Sequence, residues 1–268
     1  MKATIGGFDG MHLGHQALIK RADFIVVIEK GSNLTPGDDR CEYTTLPCKF
    51  FNLDDIKDLT PIEFIEILKK LNIFEIVVGK DFRFGKNRSG DLTLLQKHFE
   101  VKSIDEVKID GIGVHSRIIR KFIKEGNIKK ANRFLGHTYK IKGTQIKGQG
   151  LGSKELVPTI NINLVKNYLI PKQGVYITLT NKHPSLTFIG VRSTDNNFSI
   201  ETHILVKEEG RRLKIEGENG NKIFQIEFLE FLRENRKFDN LKDLKKRIQE
   251  DIIYAENFYK TQQNFFHP

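Results

Sequence analysis

The chain has 268 residues, 38% of them hydrophobic and 20 of them phenylalanine, which is enough apolar surface for real cores and excludes wholesale disorder. Its net charge of +10 is spread over both halves, whereas a nucleic-acid-binding protein usually concentrates basic residues on one stripe, so we expect no nucleic-acid partner. No apolar run approaches the roughly 18 residues that a membrane helix needs, so we expect no membrane partner either.

A short apolar strand at the N-terminus leads into a glycine-rich turn and two histidines, in the segment IGGFDGMHLGHQ (residues 5–16). Because the chain starts on this strand, we expect no secretory leader. Glycines let a backbone approach a ligand closely, and the first amides of a helix favour an anion. His12 and His15 could bind phosphate oxygens and stabilise charge at an α-phosphate as pyrophosphate leaves. A turn with two incidental histidines is the alternative, which the run of glycines disfavours.

Helices and strands alternate through the first half, and continuous apolar strands in this order are typical of a parallel sheet buried on both faces. Thr60, Pro61 and Glu63 form the pattern of a capped helix start. Cys41 and Cys48 lack metal-type spacing and are predicted to be free thiols of a reducing cytosol. The predicted elements are a helix over residues 16–22, a strand over 24–28, an irregular stretch over 30–53 with a turn at 36–39, a helix from 61 and a strand over 74–78.

A second glycine-rich segment, GKDFRFGKNRSGD (residues 79–91), follows the strand at 74–78. Ligands of parallel α/β folds bind beyond the carboxyl ends of the strands, where this loop would lie. Its phenylalanines could stack on or flank a flat ring, and its arginines could meet phosphates. The alternative is a pair of core phenylalanines in a solvated basic loop.

A third segment, GVHSRIIR (residues 113–120), begins a helix that Gly126 ends. A further helix over residues 127–135 is closed by Gly136 in the C-terminal capping position. From residue 137 onward short strands and turns replace the alternation of helix and strand. We therefore place the domain boundary at residue 136.

The second half begins with a predicted hairpin, formed by residues 139–143 and 145–148, and a glycine-rich loop over residues 148–152. Glycines of such a loop allow amides to approach phosphate oxygens. Thr159 and Asn161, two residues apart on a strand, would point to the same side and offer the oxygen ligands that Mg²⁺ prefers. On composition alone, a turn followed by an ordinary strand is at least as well supported. A long final helix is predicted from Asn240.

In order along the chain, these segments resemble those of the bacterial bifunctional riboflavin kinase/FAD synthetases. GGFDGMHLGH (residues 6–15) resembles the HxGH signature of nucleotidylyltransferases, and residues 79–91 resemble the family's GxDFRFGxxRxGD. Residues 148–161 resemble the riboflavin kinase signature, in which a glycine-rich loop leads to Pro-Thr-Ala-Asn. Residues 174–176 (GVY) match a family strand, and residues 200–205 match the strand that carries the kinase's catalytic glutamate, here Glu201.

The resemblance implies an α/β Rossmann-like nucleotidylyltransferase domain over residues 1–136, followed by a six-stranded antiparallel β-barrel with a C-terminal helix over residues 137–268. The implied chemistry is ATP-dependent phosphorylation of riboflavin to FMN in the barrel, and adenylylation of FMN to FAD with release of pyrophosphate in the first domain. Both steps would require Mg²⁺, with ATP as substrate and flavins as substrates and products. The implied location is cytoplasmic, with weak self-association left open.

The same resemblance implies roles for individual residues. His12 and His15 would assist adenylyl transfer, Glu201 would accept the proton of riboflavin's hydroxyl, and Thr159 and Asn161 would hold the metal. The implied nucleotide-binding residues are Gly6, Gly7, Phe8, Asp9, Gly14, Ser116, Arg120, Gly148, Gly150, Gly152 and Pro158. The implied flavin-binding residues are Asp81, Phe82, Arg83, Phe84 and Arg88.

The chain departs from the family's pattern in the third segment. His115, Arg117 and Ile118 stand where the family has serine, threonine and arginine, whereas Ser116 and Arg120 match. Two other functions therefore stay open at this point. One is a monofunctional riboflavin kinase with a weakened or inactive adenylyltransferase half, and the other is a non-catalytic flavin- or RNA-binding regulator.

Overall fold

The structure is a computed structural model that describes residues 1–146, 157–192, 195–205 and 222–266. The chain divides into two compact units. The first comprises residues 1–120 and 134–136, and the second comprises residues 121–133 and 137–268. The assignment of one catalytic domain to residues 1–136 and another to residues 137–268 stays a prediction.

The first unit is built on a five-stranded sheet in the order β3-β2-β1-β4-β5, in which every neighbouring pair is parallel. Its strands are β1 (Lys2–Gly6), β2 (Phe24–Glu29), β3 (Cys48–Asn52), β4 (Glu75–Gly79) and β5 (Glu100–Ile104). The helices of the first 136 residues are α1 (Leu13–Ile19), α2 (Leu53–Ile56), α3 (Pro61–Lys70), α4 (Leu92–Gln96), α5 (Ser116–Lys124) and α6 (Ile128–Leu135). Shorter elements are the 3₁₀ helices Gly37–Tyr43 and Lys86–Arg88 and the paired strands β6 (Lys108–Ile109) and β7 (Ile112–Gly113).

The central strands are buried on both faces, which confirms the interpretation of their apolar runs. Val26 and Val27 in β2 and Val77 and Val78 in β4 are all 0% exposed. The predicted capping box of α3 is also confirmed, because the hydroxyl of Thr60 accepts from the backbone N–H of Glu63. Burial of a central strand between helices provides most of the driving force for such a layer, at roughly 25 cal/mol per Å² of apolar surface.

Two predictions for the first unit were wrong. Residues 30–53 are not irregular throughout, since they contain the 3₁₀ helix Gly37–Tyr43 and the strand β3. Among the residues that the structure describes, β3 is an edge strand that pairs with β2 and is partly exposed. It lacks the continuous apolar run by which the inner strands were recognised. Helix α1 begins at Leu13, three residues earlier than predicted, because His12 caps it.

The second unit contains a closed six-stranded barrel in the order β10-β11-β12-β9-β8-β13, with every pair antiparallel. This confirms the predicted fold. The barrel strands are β8 (Tyr139–Ile146), β9 (Ile160–Leu164), β10 (Gly174–Thr180), β11 (His183–Val191), β12 (Phe198–Ile204) and β13 (Ile223–Glu234), and the final helix is α7 (Leu241–Phe266). Ile252 and Ala255 of α7 pack against the outer face of β10 at Val175 and Ile177.

The predicted hairpin at the start of the second half was wrong, because β8 runs without interruption through Gly143. Gly143 pairs with Phe224 of β13 on one side and with Leu164 of β9 on the other. A Cβ at this position would collide with the side chain of Ile162 and the backbone of Asn163. The glycine therefore marks a close approach of two strands within the sheet, not a turn.

Five hydroxyl side chains are fully buried on strands β10, β11 and β12. They are joined in a closed ring by O–O distances of 2.7–3.1 Å. Buried hydroxyls cost free energy unless each finds a partner, and a closed ring satisfies all of them. The members are Thr178, Thr180, Ser185, Thr187 and Thr202. The ring cross-links the strand that carries Glu201, on the opposite face from that carboxylate.

Candidate active sites

Both predicted nucleotide segments of the first unit lie at the carboxyl edge of the parallel sheet. The turn with the two histidines follows β1, and residues 79–91 follow β4, which is the neighbour of β1. The chain builds the sheet outward from β1 to β3 and then resumes on the other side of β1 with β4. Ligands of open α/β sheets bind at such a reversal of strand order. The topology therefore brings the two segments to one crevice.

His12 and His15 form one structural unit at the start of α1. The Nδ1 atom of His12 accepts a hydrogen bond from the backbone N–H of His15 at 3.3 Å, and the two rings stack with centroids 3.5 Å apart. The edge of Phe8 packs on His15 at 5.1 Å. A Cβ at Gly14 would lie 3.2 Å from the His12 ring. A side chain at this position would therefore press on the His12 ring, which glycine avoids.

The pKa of His15 lies well below its ordinary value of 6.5. Burial is the largest cause, followed by the charges of His12, Arg40, His115 and Lys30. His15 is therefore neutral at pH 7 and can donate one hydrogen bond and accept another. Its Nδ1 atom is buried without a hydrogen-bond partner among the residues that the structure describes.

The turn between β1 and α1 adopts a left-handed backbone at three positions. The φ angle is 49° at Phe8, 88° at Gly10 and 41° at Met11. Glycine adopts such angles freely, whereas other residues are strained there unless their surroundings hold them. Phe8 and Met11 are each 1% exposed, so the packing of their side chains holds the turn.

The carboxylate of Asp9 connects this turn to two other parts of the first unit. Its Oδ1 atom accepts from the backbone N–H groups of Leu34 at 2.9 Å and Thr35 at 3.0 Å. Its Oδ2 atom bonds the guanidinium of Arg120, and the hydroxyl of Ser116 donates to the Asp9 carbonyl oxygen at 2.8 Å. Two of the predicted nucleotide-binding residues, Ser116 and Arg120, thus both contact a third, Asp9.

Gly6 ends β1 and Gly7 follows it directly. A Cβ at either position would make only ordinary contacts, at 3.5 Å from the ring of Phe8 or from the side chain of Lys30. Packing within the protein therefore does not require glycine at these two positions. That a nucleotide approaches this backbone closely stays a prediction, and it would explain why glycine is present.

The predicted flavin-binding residues differ in exposure. Phe84 is 6% exposed and lies in the core of the first unit, and the partly buried ring of Phe82 stacks on it at 5.8 Å. Gly90 holds this loop closed through two backbone hydrogen bonds with Phe84. Asp81, Arg83 and Arg88 are exposed, and Arg83 pairs with Asp91 at 3.3 Å. Phe82 and the charged residues are accessible, whereas Phe84 supports Phe82 from within the core.

A buried ion pair lies beside the histidines. The side chain of Arg40 is 0% exposed and donates to Glu29 and to the carbonyl oxygen of Gly37. Its Nε and Nη2 atoms have no hydrogen-bond partner among the described residues. Although burial opposes it, hydrogen bonds from Arg40 and from the backbone of Ser32 and Lys30 lower the pKa of Glu29 from 4.5 to about 2.

We expect Glu29→Ala to lower the free energy of unfolding of the first unit by about 3–5 kcal/mol, because it leaves the buried charge of Arg40 without a carboxylate. In the wild type, the depressed pKa means that this contribution is fully present above about pH 4.5 and is lost as the pH falls towards 2. Native-state hydrogen exchange of the β2 amides measures both effects. Glu66→Ala is the control, because its pair with Lys69 is exposed. Equal effects of the two substitutions would contradict the expectation.

The second unit gathers the predicted kinase residues around Glu201. Glu201 on β12 pairs in register with Asn161 on β9. The hydroxyl of Thr159 donates to Glu201 Oε2 at 3.3 Å. Arg192 donates to Glu201 Oε1 at 3.2 Å and to Asn161 Oδ1 at 3.4 Å. The predicted placement of Thr159 and Asn161 on one side is therefore observed, and Glu201 faces the same side.

Sequence reasoning missed three residues of this cluster as members of the site. Arg192 forms ion pairs with both Glu201 and Asp195, and its Nη2 atom lies 2.6 Å from Oδ2 of Asp195. Ser199 donates to Glu201 at 2.9 Å. Arg192 directly follows the last residue of β11, Val191, and only the pairing of β11 with β12 brings it to Glu201. The predicted residues Gly148, Gly150 and Gly152 lie outside the described part of the chain, whereas the carbonyl oxygen of Pro158 is hydrogen-bonded to Nδ1 of His203 at 2.7 Å.

The described residues contain neither a cluster of metal-binding side chains nor a membrane-spanning helix. No cluster of three or more histidine, cysteine, aspartate or glutamate side chains there could hold a metal ion by itself. None of the helices in the same residues is long and apolar enough to cross a membrane.

Two family models match the chain: a riboflavin kinase over residues 135–259 and an FAD synthetase over residues 43–118. A bifunctional riboflavin kinase/FMN adenylyltransferase from Listeria monocytogenes is 30% identical, covering 96% of this chain and 91% of its own length. A protein of the same description from Buchnera aphidicola is 29% identical and covers 97% of this chain and 94% of its own length. Another from Escherichia coli is 28% identical and covers 96% of this chain and 92% of its own length. A crystal structure described as a macrolide-efflux protein from Streptococcus pneumoniae superimposes with a TM-score of 0.77 at 22% identity, over 95% of this chain and 93% of its own. That likeness shows a shared fold alone.

Proposed function

The chain belongs to the bifunctional riboflavin kinase/FMN adenylyltransferase family, and we propose that its two units divide the two reactions between them. The protein is a transferase of FAD biosynthesis with ATP and flavins as its substrates. It converts riboflavin and ATP to FMN and ADP, and FMN and ATP to FAD and pyrophosphate. We assign the first reaction to the barrel of the second unit and the second reaction to the crevice of the first.

One observation supports this division above all others. Each unit carries its own cluster of chemically suitable side chains: the stacked His12 and His15 in the first, and Glu201 with Thr159 and Arg192 in the second. Both family models and relatives along nearly the full chain match. The bifunctional enzyme is therefore favoured over a monofunctional kinase or a non-catalytic regulator.

In the kinase reaction, Glu201 accepts the proton of riboflavin's primary hydroxyl as that oxygen attacks the γ-phosphorus of ATP and ADP leaves. Arg192 and Ser199 orient the carboxylate through their hydrogen bonds. Thr159 and Asn161 offer oxygen atoms on the side that Glu201 faces, which fits the ligand preference of Mg²⁺. Bound there, the metal would neutralise charge on the phosphates.

In the adenylyl-transfer reaction, a phosphate oxygen of FMN attacks the α-phosphorus of ATP and pyrophosphate leaves. His12 and His15 hydrogen-bond the phosphate oxygens and stabilise the charge that develops on them. Phe82 lies against the flavin ring, with Arg83 and Arg88 available to its phosphate.

We place both reactions in the cytoplasm, because Cys41 and Cys48 are free thiols, as a reducing compartment maintains.

Incubation of the protein with riboflavin, ATP and Mg²⁺, followed by chromatography, is expected to yield FMN and then FAD. Incubation with FMN in place of riboflavin is expected to yield FAD and pyrophosphate directly, which isolates the adenylyltransferase. Product in the first assay that stops at FMN, together with none in the second, would leave a monofunctional kinase. A protein that forms neither product would not be an enzyme of this pathway.

A further inference from the structure

His115 lies at the edge of the adenylyl-transfer site, although the family has serine at its position. The carbonyl oxygen of the preceding residue, Val114, is 3.3 Å from where a Cβ of Gly14 would lie. The hydroxyl of the following residue, Ser116, donates to the backbone of Asp9 at 2.8 Å. Both neighbours of His115 thus contact the segment that carries the catalytic histidines.

The imidazole of His115 is held by a carboxylate. Its Nε2 atom lies 2.6 Å from Oε1 of Glu106. A Cβ at Gly113 would overlap this carboxylate and would lie 3.0 Å from the His115 ring. Gly113 therefore provides the space in which the pair forms. The side chain of His115 remains 39% exposed, so a ligand can reach it.

The second ring nitrogen of His115, Nδ1, makes no hydrogen bond to another described residue. An imidazole that donates from Nε2 carries a lone pair on Nδ1 when neutral and a second N–H when protonated. A phosphate oxygen needs a donor. Because its Nε2 atom donates to Glu106, His115 can offer a donor at Nδ1 only as an imidazolium.

The charged groups around His115 come from several elements. Glu106 precedes β6 and is itself 3.6 Å from Lys108 of β6. The hydrogen bond with His115 is the main cause that lowers the pKa of Glu106, so the carboxylate is ionised at neutral pH. His15 of α1 faces the site in its neutral form, and Arg117 of α5 is exposed. The carboxylate is thus the near counter-charge for an imidazolium at residue 115.

We propose that His115, oriented by Glu106, binds a phosphate oxygen of a substrate during adenylyl transfer and makes substrate affinity in this protein depend on its protonation. This inference rests on the proposed adenylyltransferase function. The phosphate belongs to ATP or to FMN, and the two sources are distinguished by which KM responds.

The test compares wild type with His115→Ser, which installs the family's residue, and with Glu106→Gln. KM and kcat for FAD formation from FMN and ATP are measured at about pH 6 and pH 8.5, on either side of the ordinary range of histidine. We expect the wild-type KM for one substrate to be about fivefold to tenfold lower at the acid pH, the effect of one charge-assisted hydrogen bond. In both variants this difference should shrink to less than about twofold, with kcat changed much less than KM.

Calorimetric binding of α,β-methylene-ATP at the same two pH values provides a readout without turnover, and a pH dependence confined to wild type there would assign the phosphate to ATP. His98→Ser is the matched control, since His98 is an exposed histidine of the same unit and should leave the wild-type pH dependence intact. Wild-type protein that forms no FAD would overturn the proposed function. Wild-type protein that forms FAD with the same pH dependence of both KM values as His115→Ser would overturn the role of His115 alone.

Discussion

Replacing Glu201 by alanine is expected to lower the rate of FMN formation by about 10²–10⁴-fold, the usual contribution of a positioned general base. The carboxylate is the group that can accept the hydroxyl proton, and Thr159, Ser199 and Arg192 hold it by hydrogen bonds of 2.9–3.3 Å. Adenylylation of added FMN should remain measurable, because we assign that reaction to the other unit. Chromatography of riboflavin, FMN and FAD after incubation with ATP and Mg²⁺ measures both.

Two further variants distinguish the loss of the general base from a general effect on stability. Glu201→Gln keeps an acceptor for Arg192 and should lose FMN formation to a similar extent while keeping the melting temperature. Glu234→Ala removes an exposed carboxylate of β13 that pairs with Lys172, and it should leave the kinase unchanged. Full kinase activity in Glu201→Gln would show that the carboxylate is not the base.

The sequence was sufficient for the fold wherever a local rule and the tertiary structure agree. The apolar runs of β2 and β4 predicted buried parallel strands, and the capping box at Thr60 predicted the start of α3. Strand β3 escaped because an edge strand with half-exposed side chains has no distinctive period. Gly143 was misread because a glycine in a strand and a glycine in a turn look alike in sequence, and only the neighbour Ile162 distinguishes them.

The residues of the candidate sites were predictable from sequence where they lie close together in the chain, but not where the tertiary structure brings them together. His12 and His15 are close in sequence, so their spacing alone indicated a shared role. Arg192 reaches Glu201 only through the pairing of β11 with β12, and the bond between Glu106 and His115 joins a loop to a helix start. Such contacts depend on the tertiary structure, and neither the type of these residues nor their spacing predicts them. The resemblance supplied Glu201, and the structure supplied the residues that orient it.

Replacing His12 by asparagine is expected to lower the rate of FAD formation from FMN by about 10²–10³-fold, the cost of losing one preorganised donor to developing charge. Asparagine is the informative substitution because His12 also caps α1 through its Nδ1 atom. Asparagine is a favourable N-cap, whereas alanine there costs about 0.5–2 kcal/mol of stability. His12→Asn therefore removes the imidazole while keeping the cap, and His12→Ala removes both.

The two variants should lose FAD formation about equally, and only His12→Ala should also lower the melting temperature. FMN formation from riboflavin should be unchanged in both, the reverse of the pattern for Glu201→Gln, so the two positions together assign each reaction to its unit. If His12→Asn formed FAD at the wild-type rate and only His12→Ala were impaired, His12 would be a helix cap and His15 alone would serve the phosphate. The neutral His15 stacks on His12 at 3.5 Å and loses this packing in either variant, so a difference between the two variants reports the helix cap and not the stacking.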